Sequence, residues 1–231
     1  MKLLTTFAFA SALIVSSAHS ATVTLVQDFF SGSIAPLVGS TAPTGGVWGG
    51  GGTATRGGGG VNVPNATGGG VYFQTFAPQP NTLYTLTTFM QNTTGATGPV
   101  SVNWIGFGFG GVVGTGDSIL LRGNGDADAY QGVSAVTHGT LSGSNSGGFK
   151  MELTTTSNPA VSYVSYFRNG NLIGSAGALT DSSAYNRVFF QDIANVTGNY
   201  EGFTLTATAV PEPSSLLLLS IAGLGLVRRR R

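Results

Sequence analysis

Phe149-Lys150-Met151-Glu152-Leu153 alternates apolar and charged residues without a break. At period two a β-strand sends Phe149, Met151 and Leu153 to one face and Lys150 and Glu152 to the other, whereas a helix would scatter them around its axis. The stretch reads as a strand with one buried face. Phe203-Thr204-Leu205-Thr206-Ala207 repeats the pattern with threonine on the wet side. Further runs of this kind are Thr22 to Phe30, Val71 to Phe76, Leu83 to Met90, Val100 to Phe109, Ser118 to Arg122, Val161 to Phe167, Leu172 to Gly174 and Arg187 to Ile193. They are rich in Thr, Val, Phe and Tyr, which suit a pleated, half-buried surface. Between Ala21 and Ala209 no apolar repeat of 3.6 competes with them. Asn169-Gly170, set between two such runs, is a hairpin signal because both residues tolerate positive φ. About ten short strands joined by Gly-, Asn- and Ser-rich turns predict an all-β domain, a β-sandwich of the jelly-roll kind.

Composition narrows the function classes. Charged residues make up 8% of the 231, where a soluble domain usually carries roughly 25%. The absence of cysteine excludes a disulfide scaffold and a thiolate-held zinc or iron–sulfur centre. Half of the basic residues sit at the two ends, as Lys2 and Arg228 to Arg231. Between Ala21 and Ala209 there remain Arg56, Arg122, Lys150, Arg168 and Arg187 against eight acidic residues, so the body is net acidic. No basic surface is left for nucleic acid.

Both ends read as addresses. Lys2, the apolar run Leu3 to Val15 and the small residues of Ala18-His19-Ser20 before Ala21 have the order of a secretory signal peptide, residues 1–20, with cleavage expected after Ser20. The body then runs from 21 to 209. At the far end, residues 210–231, Pro211-Glu212-Pro213 precedes an apolar stretch from Leu216 to Val227 and the terminal Arg228-Arg229-Arg230-Arg231. The two prolines hold their segment extended, as a peptide lying in a protease cleft must be. Leu216 to Val227 gives only about 18 Å of helix, so a transmembrane helix is expected over 214–227 with help from bilayer thinning or snorkelling arginines. Those arginines stay on the cytoplasmic side and leave the body outside.

This tail resembles the PEP-CTERM sorting signal of exported proteins from Gram-negative bacteria that make exopolysaccharide. The resemblance rests on Pro211, Glu212, Pro213, the apolar helix and Arg228, Arg229, Arg230 and Arg231. It implies transient insertion in the inner membrane and recognition by an exosortase, a membrane-embedded cysteine transpeptidase, which removes the helix. The product would pass to the outer surface or the extracellular matrix. Glu212 would then be part of a substrate and not a catalyst.

The later part of the body is similar to the concanavalin A-like, laminin G-like jelly roll. The likeness is carried by Phe149 to Leu153, by the hairpin from Tyr163 to Ser175 around Asn169-Gly170, and by a closing strand at Gly202 to Thr208. A galactose-binding-like jelly roll would accommodate the same residues. The resemblance implies binding of glycans or cell-surface partners, although fold does not dictate function. Residues 45–70 fit this scheme least: 13 of these 26 are glycine. They are expected to form a long flexible loop or a glycine-rich edge, and they lack the lysine and hydroxyl of a phosphate-binding loop.

Few residues suggest chemistry. His138 is the sole histidine beyond the signal peptide, in an expected turn of Thr137-His138-Gly139-Thr140, so no histidine metal cluster and no serine relay can be assembled around it. A glycosidase needs two carboxylates flanking one bond, and Glu152 stands alone among apolar neighbours. No catalytic residue is assigned, and an enzyme is not expected. Asn124, Asp126 and Asp128 place oxygen ligands at alternate positions and are a weak calcium candidate; no other cofactor is expected. Trp48 and Tyr130 are candidates for stacking against a sugar, while Trp104 continues the alternation of Val100 and Val102 and is expected in the core. The sequons at Asn65, Asn92 and Asn195 are taken as chance in a threonine-rich chain. The sequence thus predicts a non-enzymatic, exported surface or matrix component linked to exopolysaccharide. A lectin-like glycan-binding module and a polysaccharide hydrolase are the alternatives.

Overall fold

The computed structural model describes residues 20–64, 69–94, 103–111, 113, 115–137, 144–177, 185–193 and 196–210. The expected signal-peptide helix, the expected transmembrane helix and arginine tail, His138, and the sequons at Asn65 and Asn195 lie outside the described residues. The strands form two antiparallel sheets. In the larger, the order is β14 (Asn171–Gly177), β13 (Tyr163–Arg168), β12 (Ser146–Thr154), β7 (Thr82–Asn92), β16 (Gly198–Ala209), β5 (Gly60–Val63), β4 (Thr55–Gly57) and β2 (Ala35–Pro36), with β1 (Thr22–Asp28) also paired to β16. In the smaller, it is β11 (Ser134–Thr137), β10 (Ala127–Gln131), β9 (Asp117–Arg122), β8 (Trp104–Phe109), β15 (Arg187–Asp192), β6 (Gly70–Thr75) and β3 (Gly49–Gly51).

The two sheets pack as a sandwich, and the alternation read from the sequence decides which face goes inside. Phe149, Met151 and Leu153 of β12 join Leu86 and Met90 of β7 and Leu205 of β16 in the core. From the other sheet come Ile105, Phe107 and Phe109 of β8 and Val188 and Phe190 of β15. Phe190 is a hub, with ring centroids 4.6 Å from Tyr200, 4.9 Å from Trp48 and 5.5 Å from Phe203. At Asn169-Gly170, φ values of 49° and 80° place both residues in the left-handed region, as the hairpin between β13 and β14 requires.

Three expectations need correction. The sandwich has sixteen strands among the described residues, not about ten, because short pairings such as β2–β4 and β10–β11 carry little alternation of their own. Residues 45–70 are not one loop. They supply β3 to the edge of the smaller sheet and β4 and β5 to the larger. Glycine makes this route feasible: Gly50, at φ 114°, lies so close to the Val71 carbonyl across β3–β6 that a side chain could not enter. Trp104 is not a core residue; it is half-buried, on the opposite face of β8 from Ile105, Phe107 and Phe109.

One polar group ties the sheets together inside this core. Asp117 of β9 is fully buried and accepts hydrogen bonds from the Tyr166 hydroxyl of β13 at 2.9 Å and the Tyr185 hydroxyl at 2.7 Å. Burial pushes its pKa up to about 6, against the lowering effect of the two donors.

Candidate functional site

A polar cleft of about 690 Å³ opens on the solvent face of the larger sheet, lined among others by Ile34, Arg56, Asn62, Gln91, Asn199 and Glu201. The glycine hairpin between β4 and β5 forms part of its lining. Gly57, Gly58 and Gly59 take φ values of 140°, 65° and 96°, a path that L side chains rarely follow. The hairpin is pinned by hydrogen bonds from Gly58 N to the Gly32 carbonyl and from Gly59 N to the Phe30 carbonyl, each 3.2 Å. A glycine tract that looks featureless in sequence thus makes a fixed boundary.

Strand register assembles the floor. Thr55 pairs with Asn62, Asn62 with Asn199, Asn199 with Gln91, and Gln91 with Ser146, so five polar side chains from five adjacent strands stand in one row. One step along the strands, on the same face, a second row runs Gly57, Gly60, Glu201, Phe89 and Gly148. Glu201 and Phe89 are its only side chains, between glycines on either side. The Asn199 amide donates to Glu201 Oε1 at 3.0 Å. The Asn62 and Gln91 amides make no hydrogen bond to a described residue.

Arg56 brings little free charge to the cleft. Its guanidinium donates to Asp28 at 3.0 Å, and Asp28 is fully buried. The second Asp28 oxygen accepts the Trp48 indole N–H at 3.0 Å, while the first also accepts Phe30 N at 2.8 Å. Asp28 is thus saturated by donors, and Glu201 is the carboxylate left facing solvent in the cleft.

Beyond Phe89 lies a shallower hollow of about 490 Å³, whose lining includes Phe89, Gly148, Lys150, Asn169 and Gly202. Phe89 is 37% exposed and Phe29, which borders Gly202, is 56% exposed. Ile34 at the cleft wall is 80% exposed. Amides and a carboxylate next to exposed aromatic rings are the set that bonds hydroxyl groups while covering apolar C–H faces.

The residues singled out from sequence fall elsewhere. Trp48 is no exposed platform: it is 0% exposed, wedged against Phe30, Phe190 and Phe203. Its glycine surroundings let the backbone turn it inward. Tyr130 of β10 is half-buried, within 3.3 Å of Arg122 Nη2, and its carbonyl accepts the Tyr166 hydroxyl. Asn124 and Asp126 sit together in the β9–β10 turn, whereas Asp128 lies buried within β10. Asn124 donates to Asp126 at 2.6 Å, and Asp128 is ion-paired with Arg122. Glu152 is not a lone acid; it pairs with Lys150 at 2.6 Å, and Lys150 in turn lies 3.9 Å above the Phe167 ring. The Asn92 side chain is buried and donates to the carbonyls of Asn103 and Leu121, so its sequon is closed to modification.

The sequence reading missed Asn62, Gln91, Asn199, Glu201 and Phe89. Each is an outward residue of a strand, and only pairing between distant segments reveals that they converge.

The tail is the other functional element. Residues 209–231 match the PEP-CTERM protein-sorting motif. The PEP-CTERM motif marks an exported protein that is anchored in a membrane before exosortase processes it. No curated protein matches the sequence. Among solved structures, the body is similar to the carbohydrate recognition domain of Emp46p. The metal-free form aligns with a TM-score of 0.51 at 10% identity, covering 68% of this chain and 87% of that one. The potassium-bound form gives a TM-score of 0.50 at 10% identity with the same coverage. The endo-1,3-beta-glucanase from Streptomyces sioyaensis aligns over 82% of this chain and 97% of its own at 12% identity, with a TM-score of 0.48. At such identities the likeness speaks for the fold alone: the body in front of the PEP-CTERM tail is a jelly-roll β-sandwich.

Proposed function

We propose that this PEP-CTERM protein is a non-enzymatic adhesive or structural component of the bacterial outer surface or extracellular matrix, and that it holds exopolysaccharide on the solvent face of its larger sheet. The observation that carries this reading is the row of Asn62, Asn199 and Gln91 beside Glu201 and Phe89. Amides both donate and accept, as sugar hydroxyls do, and an adjacent ring offers a face to the sugar C–H groups.

Hydrolysis is the weaker reading. Among the described residues no second carboxylate faces Glu201 across the cleft, since Asp28 is buried against Arg56 and Trp48, and most glycosidases use two.

Retention of the processed protein on polysaccharide gels tests the proposal. The wild type should be retarded and the Asn62→Ala, Gln91→Ala double variant should elute in the void volume with an unchanged melting temperature. Equal elution of both would refute the assigned site. Turnover of a glycan panel that vanished in Glu201→Gln would replace the proposal with a hydrolase. Mass spectrometry of the exported form should find an N-terminus at Ala21 and a C-terminus near Pro211 to Pro213; an intact Arg231 outside the membrane would overturn the sorting route.

A further inference from the structure

Resting on the glycan-holding reading, we infer that the cleft takes an internal stretch of a linear, uncharged polysaccharide, laid across strands β4, β5, β16, β7 and β12, and not a chain end or an acidic polymer.

The row from Thr55 to Ser146 crosses four strand gaps. At about 4.8 Å per gap this is about 19 Å, the reach of about four sugar rings. A pocket for a chain end needs a large group to close one end, yet the row stops on the small side chain of Ser146 at the β12 end, and at the β4 end Thr55 is followed in register by the exposed ring of Pro36 of β2. In the parallel row Gly57, Gly60 and Gly148 carry no side chain; the Ile34 backbone crowds the Cβ position of the first and the Asn199 amide that of the second, while at Gly148 the nearest neighbour is 3.9 Å from where a Cβ would stand, so the bed for the rings is clear at the β12 end. Phe89 and Glu201 rise between them as the single stacking face and the single acceptor pair.

Charge selects the polymer. Arg56 is spent on Asp28, the free groups of the row are neutral amides and hydroxyls, and Glu201 leaves the cleft negative. Among the described residues the nearby cations are already paired, Arg56 with Asp28 and Lys150 of the adjoining hollow with Glu152, so a polyuronate would meet net repulsion. Hydroxyl groups of an uncharged chain meet matched donors and acceptors.

Calorimetric titration of the processed protein with neutral gluco-oligosaccharides of two to eight units, both β-1,3- and β-1,4-linked, and with alginate oligomers of the same lengths, tests this. Affinity for at least one neutral series should rise by about ten-fold or more between two and about four units and then level. Alginate oligomers should bind at least about ten-fold more weakly at low salt, with the gap narrowing as salt is added. Ser146→Ala and Thr55→Val should lower affinity for the long neutral chains by a larger factor than for the disaccharide, with melting curves confirming that both variants fold. A disaccharide that binds as tightly as the longest chain, or alginate that binds as tightly as the neutral series, would overturn this inference and leave the glycan-holding reading standing. Absence of binding by every oligomer of either class would overturn both.

Discussion

Phe89 of β7 and Glu201 of β16 are direct cross-strand partners on the solvent face of the larger sheet, and they are the only side chains in a row otherwise made of glycine. An exposed phenylalanine is tolerated anywhere; one held beside a carboxylate and bordered by side-chain-free backbone has a defined approach path. Truncating it separates binding from folding. Phe89→Ala should weaken retention on the binding polysaccharide by about five-fold, the equivalent of about 1 kcal/mol of ring stacking. Because the ring is partly exposed, the melting temperature should move by only a degree or two. A loss of stability as large as that of a core truncation, with binding retained, would mean that Phe89 packs and does not recognise.

Trp48 provides the opposite case. Its ring fills the space between Phe30, Phe190 and Phe203, and its N–H satisfies a buried carboxylate. Trp48→Ala should cost about 3–5 kcal/mol, and the orphaned Asp28 oxygen adds to the loss. Chemical denaturation measures this directly. If the variant lost sugar binding at full stability, Trp48 would be a contact residue after all.

Stability should rise as the medium is acidified from pH 7 towards pH 5. Burial raises both Asp117 and Asp192 from 3.8 to about 6. A carboxyl with a higher pKa in the folded state favours folding when protonated, so its contribution is complete below the unfolded value near 3.8 and is lost as pH climbs through about 6. Each group can contribute up to about 3 kcal/mol. Urea midpoints at pH 5 and pH 7 report the trend, and Asp117→Asn should flatten it by roughly half. A midpoint that falls between pH 7 and pH 5 would contradict the assignment of these two groups.

How far the sequence reached can be judged residue by residue. Phe149, Met151 and Leu153 were legible as core because burial and strand period are local signals. Asn169-Gly170 was legible because the turn's backbone demands are written in two adjacent residues. Residues 45–70 were not, since glycine carries no polarity to alternate and its pairing with β6 depends on Val71 and Tyr72, roughly twenty positions away. Trp48 was misread for the same reason. The row Asn62, Asn199 and Gln91 was the least legible: its members are polar outward residues in three separate stretches, and their meeting depends on the register of β5, β16 and β7. The sorting tail was the most legible, because its proline, apolar and arginine segments act in linear order.

Two glycines of the second row should respond differently to a methyl group. A Cβ on Gly60 would stand 2.7 Å from the Asn199 amide oxygen and 3.0 Å from the Tyr200 carbonyl. The backbone of β16 cannot yield, so the Asn199 side chain must swing aside and break its bond to Glu201. Gly60→Ala should therefore lower affinity for polysaccharide, with a stability loss of about 1–2 kcal/mol. At Gly148 the nearest atom to an added Cβ is Asn169 Oδ1 at 3.9 Å, an ordinary contact. Gly148→Ala should leave stability unchanged or slightly improved, since alanine restricts the unfolded chain. A larger group, as in Gly148→Val, should obstruct the bed beside Phe89 and reduce retention without unfolding the protein. If Gly148→Val bound as the wild type does while Gly60→Ala did not, the ligand would stop at Glu201 and never pass over Phe89.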